Sequence, residues 1–199
     1  QGGPGPGTHR SHPPPLPLTT PHFTGIVSGY IYPSVPNFLQ VGGDFIAVAG
    51  TLFYRGEAGE GALKLLLADY EPPFARWPDV LGQFAALIFK RGRLFAFTDW
   101  CASFHLYQSQ DRSVFSTSLL STASSLNNLS FNPQAVYEFV FAGTPLGTDT
   151  VFSEITRPPA TQELELAATV RTHETPRSLP TVETDETMDR ALERIATVL

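Results

Sequence analysis

Apolar residues recur in short alternating runs through the middle of the chain, and helical spacing shows in three places. Residues 44–54 give the clearest strand. Phe45, Ala47, Ala49, Thr51 and Phe53 point one way, while Ile46, Val48, Gly50, Leu52 and Tyr54 point the other. Both sets are largely apolar, which predicts a strand covered on both faces, as in a layered sheet. Residues 83–90 and 93–98 read as two more apolar strands joined by Lys90-Arg91-Gly92, and Leu106-Tyr107 and Val114-Phe115 flank a second polar turn, Gln110-Asp111-Arg112. Phe23–Tyr32 suits a strand closed by Pro33 and Pro36, and 162–174 offers two short strands.

The first helix follows the glycine-rich turn Gly56–Gly61: Ala62, Leu63, Leu66, Leu67 and Tyr70 fall on one face, and Pro72-Pro73 stops it. The second starts at Asn132-Pro133, a capping side chain before a residue without an amide hydrogen. Val136, Phe139 and Val140 give it an expected buried stripe, and Gly143 ends it. The third begins near Thr184, with Asp185 and Glu186 in its first turn and Met188, Leu192, Ile195 and Leu199 on one face. Nothing upstream accounts for that face, so the segment reads as the opening of a second domain. No internal repeat is evident.

Composition narrows the class. Hydrophobic residues make up 42% and charged ones 16%, which fits a globular body rather than a disordered chain. Fifteen Phe against one Met and two Trp point to an aromatic core on strands. A net charge of -6 argues against a nucleic-acid partner, whose binders carry a basic face. No stretch approaches the roughly 20 apolar residues that span a bilayer, and no secretory pattern is seen, so a cytoplasmic protein is expected. A single cysteine excludes an internal disulfide and any multi-cysteine metal site. Residues 1–21 are Gly/Pro-rich and are expected to form an unpacked tail; His9 and His12 there lack a third ligand and read as solvated. The chain opens on Gln1, which suggests that something upstream is missing. The expected organisation is a tail at 1–21, one domain at 22–175, and a linker with a first helix at 176–199.

Four phrases arrive in a fixed order: 45–54, Gly82–Phe89, Phe97-Thr98-Asp99-Trp100, and His105-Leu106-Tyr107. Phe115–Ser118, Phe139–Pro145, Thr150-Val151-Phe152 and Arg157–Ala160 extend the series. The succession resembles the N-terminal glutaminase (class II glutamine amidotransferase) domain of the asparagine-synthetase family. The resemblance implies an α+β fold of mostly antiparallel sheets, a four-layer α/β/β/α sandwich of the N-terminal-nucleophile (Ntn) hydrolase type. It places Ala49, Gly50 and Thr51 where the family has Asn-Gly-Glu, the oxyanion-hole and glutamine-holding strand. Glu60, within Gly59-Glu60-Gly61, stands where the family recognises the substrate amine. Together these four residues make up an expected degenerate glutamine pocket.

The departures fall on the chemistry. The family's nucleophile is an N-terminal cysteine whose α-amino group serves as base, and Gln1 cannot replace it. The family's Arg-Gly-Pro loop has no counterpart, and Ala49 replaces a side-chain donor. Losing one oxyanion donor typically costs roughly 2.7–4 kcal/mol of barrier, and losing the nucleophile removes the covalent route. No catalytic residue and no metal site is therefore assigned. The implied whole is an ATP-dependent amide ligase, with ATP and Mg²⁺ expected in a downstream synthetase domain, since no Ser-Gly-Gly-x-Asp run occurs here.

Three functions stay open. The domain is a silent scaffold for the synthetase domain or subunit, an active glutaminase whose cysteine segment is missing, or a pocket re-used to bind a peptide or carrier protein. A homodimer is also open. Among isolated candidates, Cys101 reads as a small buried hydrophobe rather than a nucleophile, and its spacing from His105 does not bring the two together. Asp99 reads as a turn and backbone-capping residue. Arg55 and Arg76 read as solvated, and Glu163 and Glu165 share one face of what is read as an exposed strand edge.

Overall fold

The computed structural model describes residues 15–27 and 36–175. The expected helix from Thr184, the second half of the strand expected at Phe23–Tyr32, and most of the expected tail lie outside the described residues. Twelve strands, three α-helices and a short 3-10 turn are described. In chain order they are β1 (Leu16–Thr19), β2 (Thr24–Val27), β3 (Phe38–Val41), β4 (Asp44–Tyr54), β5 (Glu57–Ala58), α1 (Gly59–Asp69), the 3-10 turn Trp77–Asp79, β6 (Val80–Lys90), β7 (Arg93–Thr98), β8 (Tyr107–Ser109), β9 (Phe115–Ser116), α2 (Leu119–Ser124), α3 (Pro133–Ala142), β10 (Ile155–Thr156), β11 (Gln162–Leu166) and β12 (Arg171–Glu174).

The class is α+β with antiparallel sheets. The large sheet runs β12-β11-β7-β6-β4-β3, with β5 folded back on β4; a small sheet runs β10-β8-β9, and β1 and β2 form a separate hairpin. The spine is the long β4–β6 pair, in register from Phe45↔Phe89 to Tyr54↔Val80. The turn at Arg91-Gly92 then returns the chain as β7. The hairpin corrects the tail expectation in part. Leu16–Thr19 pairs with Thr24–Val27, because Thr20 Oγ1 and the Phe23 backbone close a tight turn between them.

Both faces of the spine are covered, as the pattern of residues 44–54 predicts. On one face Ile46, Val48, Leu52 and Tyr54 meet Phe84, Ile88, Phe95 and Phe97 beneath Ala62, Leu63, Leu66 and Leu67 of α1. Tyr70, Phe74 and Trp77 close this cluster with stacked and edge-on rings. On the other face Phe45, Leu94, Ala96, Leu164 and Leu166 pack with Leu106, next to half-buried Leu18, Phe23 and Phe115. At about 1.5–3 kcal/mol for each fully buried large apolar side chain, these two layers dominate stability. The small sheet in turn carries α2 against its three strands. Ser118 caps α2 by accepting from the Ser121 amide.

Helix α3 forms where expected, with Asn132 accepting from the Ala135 amide and Gly143 left-handed at φ 75. Its expected buried stripe does not. Only Ala135 is buried, and Phe139 and Val140 are 53% and 71% exposed. Spacing defines a helix face, but burial needs a facing element, and no described element covers this one.

Candidate functional site

At the junction of β4 with the start of α1 lies a cavity of about 190 Å³. Gly50, Thr51 and Phe53 line it from β4, Ala58, Gly59 and Leu63 from the helix side, and Pro36 and Asn37 from the segment before β3. Two of the four expected pocket residues, Gly50 and Thr51, thus share a wall. Ala49, half-buried one residue earlier in β4, does not line it. Glu60 is exposed in the first turn of α1 and is likewise off the wall.

Gly50 is required by geometry. With φ +96, a Cβ there would stand 2.2 Å from the Gln83 carbonyl oxygen and 2.9 Å from Phe104 Cδ2. Gly82 mirrors it across the pair: at φ +118, its Cβ would stand 2.1 Å from the Thr51 carbonyl oxygen. The Thr51↔Gln83 pair is therefore clamped between two left-handed glycines, at the point where the loop after β7 approaches β4. No side chain fits either place without moving a strand.

Asp99 organises that loop. Its buried carboxylate accepts from the amides of Cys101 and Ser103 (both 3.0 Å), Phe104 (2.9 Å) and Phe84 in β6 (3.2 Å). Burial alone would raise its pKa. The amide donors, Phe104 foremost, outweigh that and hold the carboxyl below its usual range. The backbone-capping expectation is met.

Cys101 is exposed, which corrects the expectation of a buried thiol. Asp99 draws the Cys101 backbone inward, and the side chain is left toward solvent. His105 Nδ1 lies 2.8 Å from the Ala102 carbonyl and so donates to it; Nε2 then faces Arg157 Nη1 at 3.5 Å. Neither ring nitrogen engages Cys101, so no thiol–imidazole pair forms. Arg157 instead donates to the carbonyls of Pro145 and Gly147, pinning the turn after α3.

A buried ionic cluster on the helix side of the sheet is the largest surprise. Glu163 and Glu165 are 0% and 5% exposed, because β11 is an interior strand flanked by β7 and β12 rather than an exposed edge. Glu163 accepts from the Tyr70 hydroxyl, and from the Phe74 amide at 3.1 Å. Burial, then the charge of Glu163, pushes the Tyr70 hydroxyl far above its ordinary range. Arg93 grips Glu165 with both arms of its fork, at 2.9 and 2.8 Å, and His173 Nε2 lies 3.2 Å away. Arg93's hydrogen bonds, more than its charge and against the opposing effect of burial, lower Glu165 from 4.5 to about 2. Arg93 also lies over the Phe95 ring at 4.9 Å. Gln162-Glu163-Leu164-Glu165-Leu166 carries only a faint signal of this: its acids alternate with core leucines, as either a wet or an ion-paired face would.

Arg55 and Arg76, read from the sequence as solvated, each have an acidic neighbour. Arg55 pairs with Asp69 at 3.1 Å, and Arg76 approaches Asp79 at 3.9 Å. No group of three or more metal-ligating side chains occurs among the described residues. Among the described residues, the cavity wall offers the Thr51 hydroxyl and the Asn37 amide, and neither a sulfur, an imidazole nor a cation. Among the described residues, Thr51 Oγ1 has no hydrogen-bonded base. No family model matches the chain, and no curated protein matches it.

Proposed function

We propose that this is a glutaminase-like domain of the class II amidotransferase kind, from an asparagine-synthetase-family amide ligase, and that it is catalytically silent. The cavity carries the reading. It lies between Gly50-Thr51, which the resemblance aligns with the family's glutamine-holding strand, and the start of the first helix, and its described lining includes neither a nucleophile–base pair nor a cation for a carboxylate.

The succession of α1, large sheet, small sheet and α2 supports the finer reading of a four-layer α/β/β/α sandwich of the Ntn-hydrolase type. In that reading the domain is a scaffold for a synthetase domain or subunit that supplies the ATP and Mg²⁺ chemistry, and the amide nitrogen enters as free ammonia or a substrate amine. A cytoplasmic location belongs to the same proposal. Among the described residues, no helix is long and apolar enough to cross a membrane.

Glutamate release from glutamine by the purified protein tests the silence. The expected result is none above the blank, alongside ATP-dependent amide formation by the intact ligase with ammonia but not with glutamine. Glutamine turnover that is lost in Thr51→Val would overturn the proposal.

A further inference from the structure

The cavity beside Gly50 coincides with a break in the strand pairing of β4. On one side β6 accompanies β4 without interruption from Phe45 to Tyr54. On the other, β3 reaches only to Ala47, the Asn37 carbonyl accepts from the Val48 amide at 2.7 Å, and β5 resumes at Phe53. Residues 49–52 therefore have no described strand on that side, a gap of about 13 Å at roughly 3.3 Å per residue. The backbone groups left over can be named. Alternate residues of an antiparallel ladder turn N–H and C=O to the same side, so Gly50 and Leu52 face the way Val48 does. The opposite strand agrees. Phe84, across from Gly50, donates its amide to Asp99 Oδ2 at 3.2 Å, and its carbonyl accepts from the Asp99 amide at 2.9 Å. Among the described residues, nothing on the gap side takes up the N–H and C=O of Gly50 and Leu52, and nothing bonds the Thr51 hydroxyl or the Asn37 carboxamide. Gly50 and Thr51 are exposed.

We propose that this gap is a strand-addition site, in which an extended, uncharged segment of a partner polypeptide lies between β3 and β5 and pairs with Gly50 and Leu52. Another peptide backbone is the ligand whose donors and acceptors recur at the spacing of alternate strand residues, about 6.6 Å. In an antiparallel arrangement its residues opposite Gly50 and Leu52 each exchange an N–H and a C=O with β4. Their side chains then fall on the face of Val48 and Leu52, against Leu63, which all belong to the apolar cluster beneath α1. No charged side chain lines the cavity, so an acidic or basic residue there would be desolvated without a partner.

Size and shape favour this occupant. The cavity, at about 190 Å³, is smaller than the roughly 300–1,000 Å³ of pockets that enclose a whole small molecule. It suits the middle of a chain that enters and leaves. A free amino acid is a poorer fit, since its carboxylate would find no cation on the wall. So is a second copy of this edge: β3 and β5 stand on either side of the gap, and two recessed edges cannot meet. The inference rests on the reading of this cavity as one without hydrolytic machinery, and the two fail separately. Glutamine turnover would end the silence, whereas peptide binding reports on the strand edge alone.

NMR of the full chain during addition of the blocked peptide acetyl-Ala-Val-Ala-Val-amide tests it. The Gly50 and Leu52 amides are expected to shift together, saturating with a Kd of about 1 mM, and to exchange with solvent about tenfold more slowly at saturation. The fully N-methylated peptide lacks the donors and should bind at least about tenfold more weakly. Ala58→Trp, at an exposed position on the cavity wall, should weaken the parent peptide by a similar factor while amide exchange in β6 and β7 stays unchanged. Equal binding of the methylated peptide overturns the proposal, as does equal binding to Ala58→Trp. So does the absence of a shift at Gly50 and Leu52 with peptide at about 10 mM. Slow exchange of both amides before peptide is added would assign the edge to the chain itself, and protection that grows with protein concentration would assign it to a second copy; either result overturns the proposal.

Discussion

Helices α1 and α3 differ by a single residue in length, 11 against 10, and both carry apolar residues at helical spacing. Yet α1 buries Ala62, Leu63, Leu66 and Leu67, whereas α3 buries Ala135 alone. What separates them is the surface opposite. α1 crosses a broad aromatic sheet, while α3 borders short connections beside a small sheet. The periodicity of a sequence states that a face exists; only the topology states whether anything meets it. The better-capped helix is the less buried one, since α1 starts on Ala58 with no side-chain cap and α3 starts on Asn132. Packing anchors the first, and local hydrogen bonds anchor the second.

Leu66→Ala should show the difference most sharply. Leu66 is fully buried, so the cavity should cost about 2–5 kcal/mol in urea unfolding. Tyr70→Phe comes next. Removing a hydroxyl from buried Glu163 leaves that carboxylate with the Phe74 amide and should cost about 2–3 kcal/mol. The same substitution at exposed Tyr137 should fall within about 0.5 kcal/mol of zero. A comparable loss at both tyrosines would mean that the α3 region is as tightly coupled to the core as α1.

Acid sensitivity gives a smaller effect with a definite sign. Glu165 is depressed in the folded chain, from 4.5 to about 2, so its stabilising contribution is complete above pH 4.5 and is lost as pH falls toward 2. Unfolding midpoints measured across that window should fall less steeply for Glu165→Gln than for the wild type. Asp99, also depressed, keeps part of the slope in both. Glu138 on α3 is lowered as well, chiefly by Gln134, but solvent screens it and Glu138→Gln should leave the slope unchanged. The smallest effect is expected for Val140→Ala, under about 1 kcal/mol in global unfolding, since contacts of α3 open before the core does. A larger loss would place α3 inside the cooperative unit.

Most of the sheet was legible because its strands are long and apolar on both faces: β4, β6 and β7, the turn at Arg91-Gly92, and the β8–β9 hairpin fall at or near their expected places. Short elements were not. β3, β10 and α2 carry two to six residues each, too few for a period to stand out. The candidate site was half legible. Gly50 and Thr51 meet at the cavity, but Glu60 points to solvent and Ala49 lies off the wall. The acids of β11 misled for a physical reason. Their partners, Tyr70 and Arg93, lie 93 and 72 residues away in sequence, so nothing local distinguishes a paired carboxylate from a wet one. Cys101 misled in the opposite direction, because a carboxylate two residues earlier captures its backbone and leaves the thiol outside.

The facing glycines 50 and 82 bear on how such a chain can drift over evolutionary time. Polar groups around the cavity can be exchanged one by one, since each touches little else. Neither glycine can be exchanged alone, because each abuts the peptide oxygen beside the other, and a methyl group at one displaces both strands. Whatever comes to line the cavity, a chain that keeps this strand pair must keep both glycines, even where its other motifs have changed.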